Sequence, residues 1–235
     1  MILQVEGIHT YYGISHIIQG LSLEIERNEV VCLIGRNGAG KTTTLRSIMG
    51  LTPPRQGRII FAGQDITGKS PFAIVRMGVG YVPEDRRIFP ELTVKDNLEI
   101  AIRTERQNGG ANGWTVERVH EYFPKLKEIE DRLGSEMSGG EQQMLAIARS
   151  LMGNPELILV DEPSQGLAPI IVESMMELLK RLKEEMTILL VEQNAMLALE
   201  VSERGYVIDK GRILYEGSAD DLRENKEVHE RYLAV

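Results

Sequence analysis

Apolar and polar positions along this chain alternate between two kinds of segment. Short, wholly apolar runs recur at Val30 to Ile34, Leu157 to Val160 and Ile188 to Val191. Runs of four or five apolar residues without a polar break predict strands covered on both faces, as in a parallel sheet. Ile2 to Val5, Leu21 to Ile25, Gly57 to Gly63 and Val79 to Pro83 read as further strands, the third of these closed by a turn. Tyr206 to Tyr215 reads as a β-hairpin turning at Lys210-Gly211. Helical spacing marks Thr43 to Met49, Pro71 to Met77, Ile170 to Lys183 and a charged terminal segment, Ala219 to Leu233. From about Arg86 to Gly153 helical periodicity dominates. Thr93 to Arg103 places Val94, Leu98 and Ile102 on one face, behind an acidic first turn at Asp96. Gly109 to Gly113 is a break, and a helix around Val116 to Phe123 stops at Pro124. The pattern predicts an α/β core interrupted by a helical subdomain. The expected partition is 1–85, 86–153 and 154–235, the middle piece being the insertion.

Composition narrows the class. The chain has 235 residues, 42% apolar and 26% charged, as in ordinary globular proteins. Its 35 acids against 27 bases give a net charge of −8, which argues against a nucleic-acid-binding face. The single cysteine, Cys32, sits in a buried strand and has no internal partner, so a reducing compartment is expected. No apolar stretch approaches the roughly 18 residues of a membrane span, and residues 1–6 lack the regions of a signal peptide. A cytoplasmic protein is expected, with any membrane association made through a partner.

Chemistry enters at Gly35-Arg36-Asn37-Gly38-Ala39-Gly40-Lys41-Thr42, which matches Gly-x-x-x-x-Gly-Lys-[Ser/Thr] between a strand and a helix. Glycines let backbone N–H groups turn inward around phosphate oxygens, and the new helix, entered through Thr42 and Thr43, aims its positive end there. Lys41 is expected on the β- and γ-phosphates and the Thr42 hydroxyl on Mg²⁺. The strand from Leu157 ends in Asp161-Glu162-Pro163. Ligands of parallel sheets sit at the carboxyl ends of strands, so both acids should lie beside Lys41. Asp161 would hold Mg²⁺, and Glu162 would orient and deprotonate an attacking water. Ser138-Gly139-Gly140-Glu141 opens another helix. Ser with Glu three residues later is a capping box, but two glycines weaken a helix start and suggest close backbone approach, with an anion as the expected guest. Tyr11-Tyr12 offers a ring to stack on a base, and either tyrosine could also be a simple packing residue.

The order of phosphate loop, Ser-Gly-Gly-Glu and an apolar strand ending Asp-Glu-Pro resembles the ATP-binding subunits of ABC transporters over essentially the whole chain. The resemblance implies an ATPase of the phosphate-loop fold with an N-terminal antiparallel β subdomain and an inserted helical subdomain. It also implies a head-to-tail pair of ATP-binding subunits, homo- or heterodimeric, in which Ser138, Gly139, Gly140 and Glu141 meet the partner's ATP. Tyr12 becomes the implied adenine platform, and two membrane permease subunits and a solute-binding protein become the implied partners. Three positions depart from the general pattern: Glu84 stands where Gln is usual, Gln193 where a switch His is usual, and Ser164 to Pro169 lacks the usual Asp. The four histidines, His9, His16, His120 and His229, all lie elsewhere. Gln193 is assigned to position the γ-phosphate or the water, and Glu84 joins Thr42 and Asp161 as an expected metal ligand. Val82-Pro83-Glu84, Pro163 to Pro169 and Leu190 to Asn194 together resemble the smaller ATP-binding subunit of branched-chain amino acid importers, with the ATPase of urea importers a near relative. Import powered from the inner face of the membrane is the implied function. Two rival readings are an ABC ATPase of DNA repair or translation, and a binding-only module with dead catalysis.

Overall fold

The computed structural model describes residues 1–102 and 113–225. Two sheets organise the chain. An antiparallel sheet of order β2-β1-β4-β5 is made by β1 (Leu3–Tyr12), β2 (Ser15–Ile25), β4 (Gln56–Phe61) and β5 (Gln64–Asp65). A six-stranded sheet of order β10-β9-β3-β8-β7-β6 is made by β3 (Val30–Ile34), β6 (Val79–Val82), β7 (Leu157–Asp161), β8 (Thr187–Glu192), β9 (Arg204–Asp209) and β10 (Arg212–Ser218). All its pairings are parallel except the β9–β10 hairpin. Lys210 and Gly211 turn that hairpin with both φ positive, the two-residue geometry that suits the twist of the flanking strands.

The apolar runs are apolar on both sides because both sides are covered. Cys32, Ile158, Val160, Ile188 and Leu190 join one buried cluster, while their neighbours Val31, Leu33, Leu157, Leu159, Leu189 and Val191 join another. Successive residues of a strand point to opposite faces, so these are the two faces of one sheet. The first face carries α6 (Gly139–Leu151), α7 (Pro169–Leu182) and α8 (Ala195–Val201). The second carries α1 (Lys41–Ile48), α2 (Pro71–Met77) and the antiparallel sheet. Helix ends follow local chemistry. Ser70 caps α2 and Pro71 opens it. Thr93 and Asp96 form a reciprocal capping box on α3 (Val94–Glu99), as do Ser138 and Glu141 on α6. Asn194 caps α8, and Ser218 caps α9 (Ala219–Glu224). The helical segment also contains α4 (Val116–Tyr122) and α5 (Pro124–Glu128), and it packs Val94, Leu98 and Phe123 into the same apolar cluster as the sheet.

Several expectations shift. The first two strands are twice as long as their apolar runs, because irregular pairing at Val5/Ile8 and Thr10/Tyr11 carries the ladder past polar positions. Tyr11 and Tyr12 therefore end β1. The helix expected to reach Arg103 stops at Glu99 and continues only as a turn. Residues 109–112 of the glycine-rich break, Arg103 and the end of the terminal helix lie outside the described residues.

Candidate functional site

The strand register brings the chemistry to one edge. Ile34 pairs with Glu192, Asp161 with Val191 and Val82 with Val160. The loops that follow β3, β6, β7 and β8 therefore leave the sheet side by side at its carboxyl end. The loop after β3 wraps from Gly35 to the start of α1. Gly40 adopts φ 117°, a left-handed conformation closed to most residues, and hands the chain to the helix. The β9–β10 turn braces it, Gly211 N–H donating to Ala39 O at 2.8 Å. Within the loop Ala39 N–H donates to Arg36 O at 3.1 Å, and the loop ends at the positive end of α1, which favours an anion.

Lys41 is only 4% exposed. Its Nζ donates to the carbonyls of Gly35 at 2.8 Å and Arg36 at 3.3 Å, and pairs with Glu162 Oε1 at 3.0 Å. Thr42 Oγ1 donates to Asp161 Oδ1 at 3.1 Å, and Tyr81 OH donates to Asp161 Oδ2 at 3.2 Å. Asp161 is fully buried. Burial pushes its carboxyl up to about 6 against the hydrogen bonds from Thr42 and Tyr81, with Glu162 and Glu84 adding repulsion. Burial, then Asp161, pushes the Tyr81 phenol up in turn. Glu162 holds φ 46° and is 7% exposed.

A cleft of about 410 Å³ is lined by Tyr12, Ile17, Asn37, Gly38, Gly40, Lys41, Thr42, Thr43, Glu84, Glu162 and Gln165. A neighbouring hollow adds Arg46, Tyr81 and Asp161, sharing Thr42, Glu84 and Gln165. Most of the residues expected at one site thus converge. Tyr12 lines the cleft with its ring 44% exposed. The Tyr11 ring is engaged elsewhere, stacked on His16 at 4.1 Å with the Arg55 guanidinium 4.6 Å away.

Two groups of expected residues stand apart from the cleft. Gln193 is exposed in the loop after β8 and does not line the cleft. Ser138, Gly139, Gly140 and Glu141 begin α6, away from the cleft lining. Their glycines do allow close approach, but within this chain the neighbours are side chains. A Cβ on Gly140 would meet Ile171 at 2.6 Å, and one on Gly139 would meet the Arg86 guanidinium at 2.7 Å. Packing of α6 on α7 thus explains Gly140 without an anion, while the Ser138 cap is satisfied by the Glu141 amide. Sequence reasoning missed Tyr81, hidden among the apolar residues of β6. It also passed over Glu192, although an acid ending an apolar strand is the same signal that singled out Asp161.

The donor set suits Mg²⁺. One buried carboxylate, one hydroxyl and a second acid, Glu84, face a common hollow. Among the described residues no cluster of three or more His, Cys, Asp or Glu forms a closed metal cage. A hard cation held by one or two protein oxygens plus substrate phosphates needs no such cage.

Comparison with known proteins shows the family. Residues 18–165 match the ABC transporter family model. The chain is 41% identical over 233 residues to the high-affinity branched-chain amino acid transport ATP-binding protein BraG of Pseudomonas aeruginosa, covering 98% of this chain and 99% of that protein. It is 34% identical to the lipopolysaccharide export system ATP-binding protein LptB of Haemophilus influenzae, covering 99% and 97%. Among solved structures, the ADP conformation of an ABC transporter's ATP-binding cassette superposes with a TM-score of 0.82 at 29% identity, covering 97% of both chains. A dimeric post-hydrolysis cassette bound to ADP and phosphate superposes with a TM-score of 0.77 at 25% identity, covering 93% and 99%.

Proposed function

The chain belongs to the ABC transporter family as an ATPase subunit, and on that premise we propose that it powers the import of branched-chain amino acids. The observation that carries the ATPase site is the buried Lys41–Glu162 pair beside the Thr42–Asp161 hydrogen bond, at the carboxyl edge of a parallel sheet. ATP enters the cleft with its base against Tyr12 and its phosphates on the loop amides from Asn37 to Thr43. Lys41 then exchanges Glu162 for the β- and γ-phosphate oxygens, a charge-assisted contact of the same geometry. The released Glu162 accepts the proton of the attacking water. Thr42, Asp161 and Glu84 would hold Mg²⁺, which would neutralise charge developing on the phosphates. Gln193 hydrogen-bonds the γ-phosphate or the water and carries no titrating proton near neutrality.

In the working pair, Ser138 to Glu141 of one subunit close over the ATP of the other. Residues 86–153 carry that segment as one helical subdomain. Closure of the pair drives two permease subunits, and hydrolysis resets them. Docking falls to the groove of about 390 Å³ lined by Met49, Leu51, Val75, Tyr81 and Arg149, beside the exposed Phe72 and Ile100. The membrane is reached through that contact, at the inner face. No helix among the described residues is long and apolar enough to cross a membrane. A solute-binding protein delivers the amino acid on the far side.

Import of branched-chain amino acids is supported by the match to BraG together with Glu84, Gln193 and Ser164 to Pro169. The match to LptB supports a second reading, an ATPase of an export system. The test is co-expression with permease and binding-protein subunits of a branched-chain amino acid importer, followed by leucine uptake into proteoliposomes loaded with ATP. ATP-dependent uptake that is lost in Lys41→Ala is expected. Absence of uptake, with hydrolysis stimulated only by an export permease, would sink the import reading.

A further inference from the structure

Glu192 ends β8 with a carboxylate that is only 2% exposed. Its partners are the Ser164 hydroxyl and two backbone amides: Ser164 N–H donates to Oε1 at 3.0 Å, and the Gln193 N–H also reaches it. Among the described residues no cation pairs with it. Burial, with repulsion from Glu162, raises its carboxyl above the usual range despite those amides. A buried acid without a counter-ion is costly to keep, and the neighbouring apolar strand that also ends in a buried acid, β7 with Asp161, delivers that acid to the candidate site.

What the carboxylate braces is the turn after Glu162. Glu162 sits at φ 46°, in the left-handed region that a side chain disfavours. Such a conformation persists only where its surroundings impose it, and it concentrates at functional positions. Three backbone contacts hold this one. Glu162 N–H donates to Val191 O at 2.8 Å, Gln165 N–H to Glu162 O at 3.2 Å, and Ser164 N–H to Glu192. The first and last tie the turn to β8, and only the last uses a side chain. The same carboxylate holds the amide of Gln193, so one group spans the loop bearing the base and the loop bearing the γ-phosphate contact.

We propose that Glu192 is a positioning residue for ATP hydrolysis, its buried carboxylate clamping the Ser164 amide so that Glu162 is held in its left-handed turn and in register with Gln193. This rests on the role given above to Glu162. ATP binding itself draws on the loop from Gly35 to Thr42 and on Tyr12, which Glu192 does not touch. Loss of the clamp therefore slows the chemical step and does not weaken binding.

The test uses the full chain assembled with its permease subunits, measuring single-turnover ATP hydrolysis and the ATP dissociation constant. Glu192→Leu, which keeps apolar volume and removes both acceptor oxygens, should slow hydrolysis about 10- to 100-fold, the usual penalty of a misplaced catalytic group. The dissociation constant should rise by no more than about twofold, and Glu192→Gln, which keeps the oxygen facing Ser164, should recover to within about fivefold of the parent rate. In the Glu162→Gln background, Glu192→Leu should cost nothing further, since the group it positions is gone. A parental rate for Glu192→Leu, an equal loss in Glu192→Gln, a weakened dissociation constant of matching size, or an undiminished loss in the double variant would each overturn the assignment. If Glu192→Leu does not fold, Glu192→Asp replaces it, one methylene too short for Ser164. It should lose at least about fivefold, again only when Glu162 is present, and a parental rate refutes the clamp. A Glu162→Gln variant with parental turnover would instead refute the role of Glu162. Normal loss in Glu162→Gln beside an inert Glu192 refutes the clamp alone.

Discussion

Without nucleotide, Lys41 is held by Glu162, and that pairing has a measurable consequence for affinity. ATP must take Lys41 away from a carboxylate 3.0 Å distant. Both side chains are buried, 3% and 7% exposed. At that separation and an effective dielectric of about 20, Coulomb's law gives a gross attraction of about 5–6 kcal/mol. Desolvation of two buried ions offsets most of it, leaving about 1–2 kcal/mol, the range of a charge-assisted hydrogen bond. Glu162→Gln keeps the size and removes the charge. Lys41 then waits for the phosphates unpaired, and repulsion between the carboxylate and the incoming phosphates also disappears. Both effects act in the same direction. ATP should bind about 5- to 30-fold more tightly, while turnover falls by about 10²- to 10⁴-fold because the base is lost. Calorimetry in a Ser138→Arg background isolates the monomer, so that closure of the pair does not inflate the affinity. A dissociation constant equal to or weaker than the parent's would show that the Lys41–Glu162 pair does not compete with the phosphates.

Tyr12→Ala should weaken ATP binding by about 1–3 kcal/mol, the value of a base–aromatic stack, and a loss in Tyr11→Ala with none in Tyr12→Ala would show that the wrong ring is assigned. Ser138→Arg should leave ATP binding by the monomer within about twofold and abolish ATP-dependent dimerisation on a sizing column; a dimer that still forms would count against closure over the partner's nucleotide. Burial opposes ionisation of Glu29, but hydrogen bonds from Arg204 at 2.9 Å and from the Glu26 amide outweigh it and hold the carboxyl below its ordinary value. A depressed folded-state value gives stability that is present above the unfolded value and lost as pH falls through the folded one. Glu29→Gln should therefore lower stability by about 1 kcal/mol at pH 7 and flatten the fall in melting temperature below pH 4.5, and an acid limb identical to the parent's would refute that role.

How much of this was legible in the residues depended on whether the signal was local. The runs at Val30, Leu157 and Ile188 announced a sheet covered on both faces, and alternate residues of those strands do enter opposite clusters. The caps of α2 and α6 are written in Ser70-Pro71 and in Ser138 with Glu141, because the partners are three residues apart or fewer. The length of β1 and β2 was not legible. Their pairing passes through irregularities that break the alternation from which strands are read. The site followed the same division. The phosphate loop is contiguous, and Asp161-Glu162 betrays itself by ending an apolar strand. Tyr81 gives no such sign, since its hydroxyl finds Asp161 across 80 positions of chain.

The glycines of Ser138-Gly139-Gly140 show the limit from the other side. Two glycines at a helix start imply close approach, and close approach is what the structure has. Yet Gly140 is filled by Ile171 of the neighbouring helix, and Gly139 faces Arg86. A missing Cβ records that something comes near and does not record what. Gly140 is therefore demanded by the fold of the single chain whether or not a second subunit's phosphate ever arrives. Gly139 differs, because a guanidinium is the far end of a flexible side chain and can swing away. A Gly140→Ala variant should lose thermal stability as well as activity, from a clash with the half-buried Ile171 side chain where α6 meets α7. Gly139→Ala should melt within about 1 kcal/mol of the parent and still lose ATP-driven dimerisation. If both variants melt like the parent, the packing reading of Gly140 is wrong. If Gly139→Ala dimerises normally, the backbone at 139 is not a surface on which the second nucleotide closes.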